Sequence, residues 1–251
     1  MILNPLEQFQ IIDLLSITIL GAYKLSLTNI GLSLSIVTFL IITFMTFSIS
    51  PNKFILVDKT SLINEATYDS VLSIVKEQIG TKNEKYLPFI FTLFVLILFS
   101  NLIGLIPYSF TPTSHIILTL SLSVAIFIGV TILGLQIHKL KFFSLFIPVG
   151  TPLVLVPFLA IIELISYFAR ALSLGIRLGA NMISGHILLK ILSSFIWKLN
   201  GYGILAAIAL GIIPMIIFTA IVGLELAVAI IQALVFIILT SSYIRDAIYL
   251  H

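Results

Sequence analysis

The sequence contains no cysteine and few charged residues. The lack of cysteine among 251 residues excludes disulfide bonds and thiolate metal sites. Only 9% of the residues are charged, against about 25% in an ordinary soluble domain, so the composition excludes that class of protein. Clusters of Lys and Arg interleaved with aromatic residues are also missing, which argues against nucleic acid as a partner.

Long apolar runs occupy most of the chain. Hydrophobic residues make up 60% of it, and the mean hydropathy is +1.24. Several runs exceed about 18 residues, which is enough for a helix to cross a bilayer. The sequence therefore predicts an all-α polytopic membrane protein. Its parts are an N-terminal transmembrane helix, a surface amphipathic helix, a transmembrane helix pair and a long, strongly tilted C-terminal helical hairpin.

The order of apolar and polar segments predicts one membrane domain, residues 1–251. The first twenty residues, MILNPLEQFQIIDLLSITIL, hold two acids and no arginine. We therefore interpret them as part of the mature chain, an interfacial segment rather than a transit peptide. Gly104 and Pro107 predict where the second span ends. The predicted parts are a first span at 30–50, a surface segment at 52–86, a helix pair at 87–137 and a hairpin at 148–248 with its turn near 198–203.

The two helices of the hairpin are too long to cross the membrane upright. At 1.5 Å per residue each runs about 70 Å, more than twice the hydrocarbon core of about 30 Å. Each must tilt, bend or break, and Gly211 and Pro214 offer one bend. Lysines set the orientation: the segment after the first span and HKLK at 138–141 hold seven of the 13 basic residues. That side is predicted to face the inner compartment, which places the N-terminus outside.

Polar residues are rare after Tyr86, and those inside apolar helices are functional candidates. Asn181, Ser173 and Ser184 are equally typical of helix–helix contacts. Arg170 and Lys190 are interpreted as snorkelling to an interface. The candidates for a site are the acids Glu163, Glu225 and Asp246, the bases Arg177 and His186, and the amides Asn181 and Gln232.

These residues form pairs at matching depths if the two long helices run antiparallel. The position numbers of facing residues then add to nearly the same total, as they do for Glu163 with Asp246, Arg177 with Gln232, and His186 with Glu225. His and carboxylates exchange protons near neutral pH, whereas Arg does not. A fixed cation between two proton-exchanging pairs is a barrier, and protons would have to pass it on a mobile carboxylate of another protein.

Several motifs resemble those of one family, the a subunits of F-type ATP synthases in their mitochondrial form. They are ARALSLGIRLGANMISGH, NLIGLIP, LELAVAIIQALVFIILTSSYIRDAIYLH and a start like NPLEQFQI. The resemblance implies that Arg177 faces the carboxylates of a rotating c-ring and prevents direct leak. It also implies that His186 and Glu225 line the entry half-channel, that Glu163 and Asp246 line the exit half-channel, and that Asn181 and Gln232 flank the arginine.

The resemblance also implies partners and a location. Bacterial relatives commonly carry an acid at the position of His186 and a histidine at that of Glu225, so the order here favours a mitochondrial origin. The implied partners are the c-ring, the peripheral stalk and other small membrane subunits of the Fo sector, with protons as the transported species and the lipid bilayer as surroundings. The implied location is the mitochondrial inner membrane, crossed several times, with the N-terminus in the intermembrane space.

Two other functions remain open at this point. The chain has no GxxxxGK[ST] motif, so we expect no nucleotide site, no cofactor and no enzyme activity of its own. A secondary proton-coupled transporter would need a substrate cavity formed by broken helices in related halves, and the sequence shows no convincing repeat. A purely structural membrane subunit would use its polar residues only to hold helices together.

Overall fold

The computed structural model of the chain describes residues 9–19, 23–48, 59–106, 109–146, 155–200 and 204–249. Most of these residues are helical, which confirms the predicted all-α class. Five of the described helical stretches are long and apolar enough to cross a membrane, so the chain is a multi-pass membrane protein. The helices are α1 (Asn29–Ser48), α2 (Lys59–Ile79), α3 (Leu87–Gly104), α4 (Ile116–His138), α5 (Val156–Asn200) and α6 (Ile204–Ile248).

A small β-hairpin, which the sequence patterns did not predict, precedes the helices. Its strands are β1 (Asp13–Ile19) and β2 (Tyr23–Thr28), paired antiparallel with a register irregularity between Asp13 and Leu15. Polar and apolar residues alternate along β2 and along the second half of β1, with Ser16 opposite Ser26. Such alternation, with a period of two residues, is typical of a β-strand that has one apolar and one polar face.

The predicted segments compare with the helices as follows. The first span, predicted at 30–50, corresponds to α1, and α3 ends at Gly104. The surface segment contains α2 and a 3₁₀ turn, Thr81–Tyr86. Of the turn predicted near 198–203, residues 198–200 still belong to α5. Residues 201–203 lie outside the described residues, as do 49–58, Pro107 and the predicted hairpin start at 148. α6 continues as a helix through Pro214.

The chain is organised in two compact units, and the prediction of one membrane domain stays a prediction. The first unit comprises Met1–Thr43, Leu96–His115 and Leu178–Ala233. Its buried apolar residues come from α1, α3, α5 and α6: Val37, Ile97, Leu178, Met182, Ala229 and Ala233.

The connection between α3 and α4 is tightly packed within this unit. A Cβ on Gly104 would collide with the side chain of Thr111, so glycine permits this close approach. The Ser109 hydroxyl donates to the carbonyl of Ile103 at 2.6 Å. His115 stacks on Phe110 with ring centroids 5.1 Å apart, and burial lowers the pKa of His115.

The second unit comprises Phe44–Val95, Ile116–Arg177 and Leu234–His251. In it α2 buries Val71 and Val75, and Tyr68 meets Phe91 of α3 edge-on at 5.6 Å. The amphipathic helix thus has a protein neighbour for its apolar face. α4 and α5 approach closely at Gly175, where a Cβ would lie 2.8 Å from the carbonyl oxygen of Thr119.

The end of α6 is tied to two other segments of the second unit. The His138 ring nitrogen Nε2 lies 2.9 Å from the carbonyl oxygen of Ile248, which joins the ends of α4 and α6. The Asn83 amide donates to the Tyr249 hydroxyl at 3.2 Å, which joins the 3₁₀ turn to the same point. One end of this unit therefore gathers three segments that carry basic residues.

Hydroxyl side chains inside the helices mostly donate to carbonyls of their own helix. Each donates to the carbonyl three or four residues earlier, at 2.6 to 3.1 Å in the examples that follow. The examples are Ser33, Thr92, Ser100, Thr119, Ser121 and Thr240. Such hydroxyls need no partner on a second helix.

Candidate functional site: two polar clusters and a lone arginine

The first polar cluster lies in the first unit, along one face of α6. Glu225, Ala229 and Gln232 follow one another at helical spacing, so all three face the same way. The Glu225 side chain is 5% exposed, and its Oε1 lies 4.0 Å from Nδ1 of His186 on α5. This distance is too long for a hydrogen bond but places an acid and a base side by side.

Two amides extend the first cluster. The Asn181 amide on α5 donates to Oε1 of Gln232 at 3.1 Å. The Asn101 amide on α3 donates to the carbonyl of Ala229 at 3.2 Å, and the Asn101 side chain is fully buried. The predicted pairing of His186 with Glu225 is thus a contact in the structure, and Asn181 supplies the partner of Gln232. Asn101 was missed, although an asparagine inside the apolar run before LIGLIP is a signal by itself.

Several side-chain atoms of this cluster form no hydrogen bond within the described residues. Five buried atoms have no hydrogen-bond partner among the described residues: Oδ1 of Asn101, Nε2 of His186, both carboxylate oxygens of Glu225 and Nε2 of Gln232. In hydrocarbon each such group costs free energy unless a polar partner reaches it. The cluster therefore retains hydrogen-bonding atoms that its own side chains do not satisfy.

Glu225 reaches the backbone of α5 because residue 185 is a glycine. A Cβ on Gly185 would lie 2.5 Å from Oε1 of Glu225 and 2.9 Å from its carboxyl carbon. Any larger residue would have to displace the carboxylate. On another side of the cluster, the Phe9 ring meets the His186 ring edge-on at 6.3 Å.

The second polar cluster lies in the second unit and centres on Arg170 of α5. Its guanidinium donates to Oε1 of Glu163 at 2.9 Å and lies 3.8 Å from Oδ2 of Asp246 on α6. The Tyr243 hydroxyl donates to the backbone carbonyl of Arg170 at 3.3 Å. Asp246 also lies 3.6 Å from Nε of its neighbour Arg245. The structure thus brings the two predicted acids to one cation.

This arrangement differs from the interpretation of Arg170 as a snorkelling residue. The guanidinium is paired with acids of α5 and α6, so its charge is balanced within the unit. The spacing contained the signal: Arg170 follows Glu163 by seven residues, two helical turns, on one face of α5.

Arg177 is in a different situation. It is exposed, and its guanidinium lies 3.5 Å from the hydroxyl of Ser173, a weak contact. Among the residues that the structure describes, no carboxylate forms an ion pair with it. The predicted pairing of Arg177 with Gln232 stays a prediction.

Neither cluster resembles a metal site. Within the described ranges, no group of three or more His, Cys, Asp and Glu side chains could hold a metal ion. The first cluster holds one acid, one histidine and several amides, and the second holds two acids beside two arginines.

Comparison with known proteins gives the family. The family model described as ATP synthase A chain matches residues 31–245. The chain is 50% identical to ATP synthase subunit a of Mycosarcoma maydis over 99% of this chain and 98% of that one. It is 52% identical to the same subunit of Emericella nidulans over 100% of this chain and 98% of that one. The corresponding protein of Chondrus crispus is 46% identical, again over 100% and 98% of the two chains. A match of this extent and identity shows that the chain belongs to the ATP synthase A chain family.

Proposed function

We propose that the chain is the proton-conducting stator subunit of the Fo sector of a mitochondrial ATP synthase. Two offset half-channels deliver protons to, and remove them from, carboxylates of a rotating c-ring, and Arg177 prevents a direct leak. The chain performs no bond chemistry of its own. ATP is made by partner subunits, and this subunit couples proton flow to their work.

The observation that carries this proposal is the contrast between two arginines of α5. Arg170 is neutralised by Glu163 and Asp246, whereas Arg177, two turns further on, is exposed and has no acid partner among the described residues. An unpaired guanidinium in a membrane is costly, and it cannot escape by losing its proton. A carboxylate supplied by another subunit would offset that cost, and the c-ring carboxylates are such groups.

The first cluster supports the entry half-channel. His186 and Glu225 are an acid–base pair whose buried atoms retain free hydrogen-bonding capacity. Buried polar groups of this kind are the ones to which ordered water binds. Asn181, Gln232 and Asn101 extend the same surface with amides, which donate and accept hydrogen bonds without holding a charge. Protons would pass along this surface to the c-ring.

The second cluster supports the exit half-channel. Glu163 and Asp246 share one guanidinium, so two carboxyl groups that can carry a proton lie beside one fixed cation. The side chains are partly exposed, which suits exchange with an aqueous compartment. We assign this cluster to the inner compartment on the lysine distribution, and the N-terminus to the intermembrane space.

The barrier role follows from the energetics of the proton. Each proton that crosses 100 mV gives up about 2.3 kcal/mol. If it crosses directly this energy is lost as heat, whereas a proton that must ride a c-ring carboxylate around the circle delivers it as torque. Arg177 enforces the second route because a fixed positive charge repels a proton and cannot relay one.

The test compares passive proton leak with ATP synthesis in vesicles that contain the assembled complex. Arg177→Ala should abolish proton-driven synthesis and permit leak, while Glu225→Gln should slow synthesis without leak. Lys198→Ala removes a charge from the end of the same helix and serves as the control, with both properties unchanged. If Glu225→Gln leaks and Arg177→Ala stays tight, the two roles are reversed and the mechanism is wrong.

Two other outcomes would favour the alternative functions, a secondary transporter and a structural subunit. A secondary transporter would move a solute across vesicles that lack the rest of the complex, and its flux would depend on the acids. A structural subunit would show at most an assembly defect for Arg177→Ala. Over the described residues α5 and α6 are unbroken helices, whereas transporter sites are formed by discontinuous ones.

A further inference from the structure

An apolar groove opens in the second unit between α3, α4 and the end of α6. Its volume is about 380 Å³. The lining is hydrocarbon apart from one phenol hydroxyl, and includes Tyr86, Leu93, Leu122, Ile126, Gly129 and Ile244. A Cβ on Gly129 would meet nothing within 4 Å, so the glycine leaves that space open.

One end of the groove is basic. The ammonium of Lys85 lies 5.1 Å from the centroid of the Tyr86 ring, which is itself part of the lining. Lys82 is exposed one 3₁₀ turn earlier. The bond from Asn83 to Tyr249 holds this turn against the end of α6.

Glu84, which lies between the two lysines in the 3₁₀ turn, is 3.7 Å from Lys76 of α2. Within the described part of the chain, Lys82 and Lys85 form no ion pair with an acid. The groove thus combines an apolar length with two lysines at one end that form no ion pair with an acid of the described residues.

We propose that this groove binds an anionic phospholipid, with one acyl chain along α4 and the phosphate at Lys82 and Lys85. In a bilayer, apolar contact with the groove adds little binding free energy, because the tail of any other lipid makes the same contact. Selection must come from the charged end, and basic pockets between transmembrane helices bind anionic headgroups. The aromatic ring of Tyr86 lies at the boundary between the two, where tyrosine is enriched in membrane proteins. None of the residues of the two polar clusters, and not Arg177, lines this groove.

The test uses the assembled complex in phosphatidylcholine vesicles with a trace of photoactivatable lipid. The probes are phosphatidic acid and phosphatidylcholine that carry the same diazirine midway along one acyl chain. Each lysine near the phosphate contributes about a fivefold preference for an anionic lipid over a neutral one. Residues 122–133 should therefore be labelled roughly thirtyfold more by the phosphatidic acid probe than by the phosphatidylcholine probe. The double variant Lys82→Gln/Lys85→Gln should reduce this labelling to the phosphatidylcholine level. Lys59→Gln/Lys198→Gln removes two charges elsewhere and should leave it unchanged.

A second variant separates the apolar length from the charged end. Gly129→Leu fills the groove and should reduce labelling by both lipids. Equal labelling of the unmodified complex by the two probes would overturn the proposal, as would labelling that the Lys82/Lys85 variant does not change. If residues 122–133 cross-link to a helix of another subunit and take up neither lipid, the occupant is that helix and the lipid proposal is wrong.

Discussion

Gly185 provides a direct test of the first polar cluster, because it determines where the Glu225 carboxylate can lie. In Gly185→Ala the new Cβ would be 2.5 Å from Oε1. Ordinary contacts are about 3.5 Å or longer, so the carboxylate must move by about 1 Å. That shift changes its distance to His186, now 4.0 Å. The variant therefore perturbs the acid–base pair without removing either member.

The expected effect on stability is small and the effect on rate is large. An off-rotamer glutamate costs about 0.5–1.5 kcal/mol, while alanine favours a helix over glycine by about 1 kcal/mol. The two nearly cancel, so the complex should assemble in normal amounts. A displacement of about 1 Å in a positioned group can lower a rate by about a hundredfold. We expect proton-driven ATP synthesis, normalised to assembled complex, to fall by roughly ten- to a hundredfold.

Two further variants decide whether the reasoning is right. Gly223→Ala, close to Glu225 on α6, adds the same methyl where nothing lies within 4 Å, and should synthesise ATP normally. Glu225→Asp shortens the acid by one methylene, so in the double variant with Gly185→Ala the clash is relieved and the two effects should not add. A normal rate in Gly185→Ala, or an equal loss in Gly223→Ala, would refute the proposed contact.

Three other predictions concern the rest of the chain. Arg170→Gln removes the cation shared by Glu163 and Asp246, so ATP synthesis should fall by about tenfold while the membrane stays tight, as measured in vesicles. Gly175→Ala drives a methyl into the backbone of α4, which cannot give way as a side chain can, so the complex should lose about 1–3 kcal/mol of stability and assemble poorly on native gels. Burial lowers the pKa of His115, so the folded state disfavours protonation of its ring. The free energy of unfolding should therefore fall as the pH drops below about 6.5, by at most about 1.4 kcal/mol per pH unit. Thermal inactivation measured between pH 8 and pH 5 checks this.

Each of these three has a matched control. Tyr243→Phe removes one neutral hydrogen bond from the second cluster and should slow synthesis less than twofold; an equal loss would mean that packing, not charge, matters there. Gly129→Ala adds a methyl in open space and should assemble normally. His115→Phe cannot titrate, so its inactivation should lose the acid dependence; if the dependence persists, another group is responsible.

The helices were predictable from the sequence because bilayer thickness converts directly into a run of apolar residues. The N-terminal β-hairpin was missed because alternation over six or seven residues is a weak signal beside several long apolar runs. Composition and the length of apolar runs do not predict such a short element.

The polar clusters were predictable in part. Adding position numbers finds residues at the same depth on two antiparallel helices, and it found His186 with Glu225. It does not fix the rotation of each helix about its axis, and one residue changes the direction of a side chain by about 100°. That is why Gln232 has Asn181 for its partner, four residues from Arg177. It is also why Asp246 and Glu163 each pair with Arg170, which the position numbers did not match to either acid. Rotation depends on packing, which the sequence of one chain does not show.

The hydrogen bonds from serine and threonine hydroxyls to carbonyls of their own helix affect how the chain is inserted and assembled. A serine or threonine that donates to its own helix is satisfied as soon as that helix forms, so each span can enter the lipid alone. Asn101 and Asn181 are different, since their side-chain amides donate to α6. Until α6 arrives, α3 and α5 each expose an amide to lipid. The chain therefore contains a built-in order of biogenesis, in which the last span completes the hydrogen bonds of the earlier ones, and a chain truncated before α6 should be recognised and degraded as unassembled.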